Sequence, residues 1–200
     1  MKRFEAIAIH EAGHAVIAEI LCLNPEYVTV EPNKKHDGHL KRRSVSSPID
    51  RWRGLICDAA GYIAQELHGD RRAWWELTIR DDGDTDGAKM RSAIAEHSGD
   101  RDQQAEWFDL VTKQSRKILK NPAVWRSVES LAVRLMEKRT IDYVEASEVI
   151  EAMLGRSKWN REQFQMSNRY AAPPQTWFDS REEYQAIGMA FAAMKGGAAK

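Results

Sequence analysis

His10-Glu11-Ala12-Gly13-His14 is a stretch whose residue types and spacing can do chemistry. Two histidines four apart on a helix stand one above the other, because a turn takes 3.6 residues. Neutral imidazoles so placed can grip one zinc ion and leave room for a third protein ligand and a water. Zinc lowers the pKa of a bound water from about 15.7 to about 7. Glu11, beside the pair, can then take a proton while the water attacks a peptide carbonyl, which makes it a base and not a ligand. The residues predict a zinc-dependent metallopeptidase with His10 and His14 as metal ligands and Glu11 as the catalytic group. The bland alternative is a pair of core histidines satisfied by carbonyls, with Glu11 solvated. Against it, Ile7 and Ile17 put the histidine face in the core, where imidazoles need partners. Gly13 in mid-helix costs roughly 1 kcal/mol relative to Ala, so something should approach the backbone closely there.

The third ligand has to come from elsewhere in the chain. A metzincin would continue with Gly and then His, and those places hold Ile17 and Ile20, which excludes that subclass. The candidates are the acidic loop residues Asp81, Asp82, Asp84 and Asp86, Glu66, and the scattered His36, His39, His68 and His97. The acidic loop lacks the regular alternation and closing Glu of a calcium-binding EF-hand.

Helices must position these groups. Apolar residues at helical spacing predict a helix from Arg3 to about Leu21, stopped by Asn24-Pro25. Tyr27–Val30 reads as a short strand and 39–42 as a second hairpin arm. Ser47-Pro48 opens a helix to about His68, closed by Gly69. The Asp- and Gly-rich segment 80–87 is a loop leading into a helix to about His97. Further helices follow over 102–119, after Asn121-Pro122, and from the capping box at Asp142 to Leu154. The fold class is therefore mainly α with a small β element, α+β, a helical bundle around the His-Glu-x-x-His helix. Residues 1–155 form the domain. Residues 156–200 read as an extension, an extended arm followed by a possible helix over 180–194. Trp74-Trp75 fits either core packing or the lining of a substrate groove, and Lys41-Arg42-Arg43 a solvated edge guard.

Composition narrows the function classes. Acidic and basic residues balance at 30 each, so no nucleic-acid partner is expected. No apolar run approaches the roughly 20 residues that cross a bilayer, so no membrane span is expected. Cys22 and Cys57 offer no disulfide framework and read as small buried hydrophobes, consistent with a cytoplasmic location.

Several segments taken in order resemble the peptidase domain of FtsH, the membrane-anchored AAA+ zinc protease family. Residues 9–16, Ile-His-Glu-Ala-Gly-His-Ala-Val, look like its zinc helix. Val28-Thr29-Val30-Glu31-Pro32 with Gly38-His39-Leu40 is similar to the β segment that follows. Residues 60–67 with Gly69 resemble the Ala-Gly helix ending in paired acids, with Gln65 in place of the first acid. Asp84-Thr85-Asp86-Gly87-Ala88-Lys89 falls where that family has its third zinc ligand, and Lys89 three residues on points to Asp86. Residues 131–141 resemble the closing helical hairpin. The likeness spans roughly residues 4 to 154 and implies an FtsH-like zincin fold, with zinc held by His10, His14 and Asp86. It also implies a protein or peptide substrate. The chain contains no Gly-x-x-x-x-Gly-Lys-Ser/Thr loop, so there is no ATP site to carry over, and the expected partner is a separate unfoldase or a second copy. Two other readings remain open. One is a regulatory zinc protease that cleaves a repressor and uses a different third ligand. The other is a zinc-bearing interaction domain that hydrolyses nothing.

Overall fold

Helix α1 (Arg3–Ile20) is buried on nearly every side. Small residues, Ala8, Ala12, Ala15 and Ala18, alternate with Ile9, Val16, Ile17 and Ile20, so neighbouring helices come close all round it. It ends where Cys22 (φ 56°) and Asn24 (φ 48°) turn left-handed, and Leu23 N–H returns to Ala18 O at 2.9 Å. The computed structural model describes residues 3–32, 37–42, 47–78, 85–155 and 172–178. His36, Asp81, Asp82, Asp84, Arg43, the Trp74 and Trp75 side chains and the expected 180–194 helix lie outside the described residues.

Two strands follow, β1 (Pro25–Thr29) and β2 (His39–Arg42), paired antiparallel with Val28 opposite Leu40. Helix α2 (Pro48–Leu67) starts as its residues dictate. Ser47 Oγ accepts from Asp50 N–H at 3.1 Å, and Pro48 occupies the first turn. The α1–α2 crossing explains Gly13. A Cβ there would lie 2.7 Å from Ala64 Cβ and 2.9 Å from Ala60 O. What approaches the Gly13 backbone is therefore α2.

Helix α3 (Arg71–Thr78) is followed by α4 (Asp86–Ala95), capped by Thr85 Oγ1 accepting from Ala88 N–H at 3.2 Å. Gly87 rests against Leu77 O, leaving no room for a Cβ. Arg91 Nη1 donates to Leu77 O at 2.8 Å and to Thr78 O at 3.2 Å. These contacts dock the start of α4 on the end of α3. Helices α5 (Arg101–Leu119) and α6 (Pro122–Lys138) carry Asp100 and Asn121 as caps. Strand β3 (Thr140–Asp142) then pairs antiparallel with β1, giving sheet order β2-β1-β3, and α7 (Tyr143–Leu154) starts at the Asp142 cap.

Among the described residues the architecture is mainly helical with one small antiparallel sheet, as the patterning predicts. No expectation covered α3 or β3. The described part of the 156–200 segment packs into the domain core. Trp177, in a short 3₁₀ turn (Gln175–Trp177), is 3% exposed. Its Nε1–H donates to Pro48 O at 2.9 Å, and its ring meets Trp52, Trp107 and His97. Among the described residues, no helix is long and apolar enough to cross a membrane.

Candidate metal centre

His10 and His14 project from α1 toward α2, and Asp86 reaches them from the first turn of α4. His10 Nε2 and His14 Nε2 are 3.0 Å apart. Asp86 Oδ2 lies 3.0 Å from the first and 3.1 Å from the second. Ligand atoms around a tetrahedral zinc, at bond lengths of about 2.0–2.1 Å, stand about 3.3 Å apart. The observed triangle is within a few tenths of an ångström of that size. Among the described residues, these three form the cluster of His, Cys, Asp and Glu able to hold a metal ion.

The outer ring nitrogens show which way the lone pairs face. His14 Nδ1 meets Cys57 O at 2.6 Å, and a carbonyl only accepts, so Nδ1 carries a proton. His10 Nδ1 meets Gln65 Oε1 at 3.0 Å. The other end of that amide donates to Ala6 O at 3.1 Å, so the end facing His10 is its oxygen and His10 Nδ1 is also a donor. With both protons outside, two neutral Nε2 lone pairs and one carboxylate oxygen converge on a single point. Three acceptors within about 3 Å of each other need a cation between them. In metal-free protein a proton must serve instead. Burial opposes an imidazolium at His14, but the Asp86 carboxylate outweighs it and holds His14 well above its ordinary value. Asp86 is likewise held well below the carboxylate range by His14 and His10, against the effect of burial.

Gly61 forms the floor. A Cβ on it would lie 2.5 Å from both Nε2 atoms, so α2 can pass under the rings only with glycine there. Glu11, 5% exposed, lies beside the cluster. Burial raises its pKa, against the pull of His10 and His14. Its Oε2 is buried and has no hydrogen-bond partner among the described residues. Gly38, just before β2, closes on its other side, where a Cβ would lie 3.0 Å from Glu11 Oε1 and 2.8 Å from Thr29 O.

The other candidates among the described residues are held elsewhere. Glu66 makes a two-point ion pair with Arg116, both contacts at 2.8 Å. His68 lies 3.4 Å from Glu5 and His39 2.9 Å from Tyr27 OH. His97 stacks on Trp177, centroids 4.2 Å apart and planes 6° from parallel. The residues that orient the site, Cys57 through its carbonyl, Gln65, Gly61 and Gly38, had no role assigned from sequence. The one local signal was a glycine inside a helix, Gly61, in a helix that also carries Gly54.

No family model matches the chain, and no curated protein matches it.

The donor set suits zinc chemically. Two imidazole nitrogens and one carboxylate oxygen make a three-ligand set of the kind that leaves a fourth position for water. The buried oxygen of Glu11 that has no hydrogen-bond partner among the described residues stands beside that set.

Proposed function

We propose that this chain is a zinc-dependent metalloendopeptidase with an FtsH-like peptidase module, holding zinc through His10, His14 and Asp86 and hydrolysing peptide bonds in protein or peptide substrates. The observation that carries the reading is the convergence of three acceptor atoms, all within 4.8 Å of one another, beside a buried carboxylate. The resemblance of several segments, taken in order along the chain, to the FtsH peptidase domain is its second support.

Bound zinc would supply a Lewis acid for the scissile carbonyl and a water acidic enough to lose a proton near neutral pH. The chain's own groups do the rest. Glu11 takes the proton on a carboxylate oxygen and returns it to the leaving amine. Its burial keeps the carboxyl basic enough to accept a proton, and the Gly38 backbone limits where it can swing. Cys57 O and Gln65 hold the imidazoles in the tautomer that presents Nε2 inward.

Metal analysis of the purified protein should find one zinc per chain. Glu11→Gln should keep that zinc and lose about 10²- to 10⁴-fold in hydrolysis of a fluorogenic peptide, the usual contribution of a general base. Cleavage by this variant at the parent's rate would sink the mechanism. Asp86→Ala should lose the metal. Full zinc occupancy in Asp86→Ala would favour the repressor-cleaving type of protease, with another third ligand. Zinc without hydrolysis in the parent would favour the interaction domain.

A further inference from the structure

Gln65 occupies a place that the chemistry above does not require to be polar. It lies on α2, one turn beyond Gly61, partly buried, and both ends of its amide are engaged. Resting on the reading of His10, His14 and Asp86 as a zinc site, we propose that Gln65 is a positioning residue that sets the metal affinity by fixing the tautomer and angle of His10.

The amide cannot turn over. Its Nε2 donates to Ala6 O at 3.1 Å, and a flip would set two carbonyl oxygens against each other there. Its Oε1 is therefore locked toward His10 Nδ1 at 3.0 Å. Ala6 is one turn before His10 on the same helix, so the ring is tied through Gln65 to its own backbone. His14 has a backbone partner in Cys57 O, which no side-chain substitution removes. The His10 tautomer depends on a single side chain. A ligating histidine whose outer N–H is hydrogen-bonded is oriented and made more basic, and loss of such a partner typically costs about 10- to 100-fold in metal affinity. Both outer partners here, a peptide carbonyl and an amide, are uncharged. The protein thus orients its imidazoles without adding negative charge around the cation.

The test is a zinc titration of the full chain against a chromophoric chelator, with thermal melting of each variant in excess chelator as the check on folding. Gln65→Met keeps the side-chain length and removes both polar ends, and should weaken zinc binding about 10- to 100-fold. Gln65→Glu keeps an acceptor for His10 Nδ1 but loses the tie to Ala6 O, and should bind zinc more tightly than Gln65→Met. Zinc affinity in Gln65→Met within twofold of the parent overturns the proposal. So does a Gln65→Glu chain as weak as Gln65→Met, whatever either does to the melting temperature. A parent chain that binds no zinc is a different result, because it removes the metal site itself.

Discussion

Gly61 and Gly13 are absent side chains that make two different things possible. At Gly13 the missing Cβ lets α2 cross α1. At Gly61 the space is taken by the Nε2 atoms of both histidines. Gly61→Ala therefore places a methyl 2.5 Å from each of them, and either the rings swing away or the helices part. Overpacking of this kind costs about 1–3 kcal/mol in stability. The sharper expectation concerns the metal: zinc affinity should fall at least tenfold, about 1.4 kcal/mol, while circular dichroism keeps its helical signature. Gly99→Ala, where a Cβ meets nothing within 4 Å, is the matched control and should change neither. Parent-like zinc affinity in Gly61→Ala would show that the rings do not rest on α2 as described. His10, Glu11 and His14 were legible because spacing alone puts them together. Gln65 was visible only as a departure from a family pattern, since its role depends on a helix crossing that no local pattern encodes. Of the third-ligand candidates among the described residues, Asp86 is the one beside the imidazoles, and the residues read without the family likeness left the choice open.

Elements were legible where their ends are written locally. Ser47-Pro48, Asn121-Pro122 and Asp142 each cap the helix that their side chain predicts. Helix α3 was missed because it spans only eight residues, too few for its buried face, Ala73 and Leu77 one turn apart, to register as a period. Strand β3 is three residues long, too short for an alternation to register, and exists because β1 offers it a partner. The docking of Trp177 was equally invisible, since its short segment carries no period and its three aromatic partners come from α2, the turn after α4, and α5. Its energetic weight can be measured. Trp177→Ala removes a buried indole and its hydrogen bond to Pro48 O, and should cost about 3–5 kcal/mol in urea unfolding. His97→Ala removes one stacked face and should cost about 0.5–1.5 kcal/mol. Equal losses in the two variants would mean that Trp177 contributes little beyond that stack.

For the whole molecule, the cluster joins elements far apart in the chain: the histidines on α1, their holders on α2 and Asp86 on α4. Anything bound there should stabilise the fold as a unit. In chelator-treated protein the cluster depends on a proton, and the sign of its pH dependence follows from the two shifts. His14 is raised in the folded state, so its contribution is complete below the ordinary imidazole value of about 6.5 and disappears as pH rises through its folded value. Asp86 is depressed, so its contribution holds above the ordinary carboxylate value of about 3.9 and is lost as pH falls toward the folded one. Stability without metal should therefore decline on the alkaline side. Zinc replaces the proton and competes with it more successfully as pH rises, so its advantage should widen with pH. At zinc one hundred times above the dissociation constant, the stabilisation is about 2.7 kcal/mol, or roughly 5–10 °C in melting temperature for a chain of this size. Melting curves with zinc and with chelator should separate further at about pH 9 than at about pH 6, and Asp86→Ala should show little separation at either. A zinc shift that is flat across that range, or that survives intact in Asp86→Ala, would mean that the ion binds somewhere other than between these three side chains.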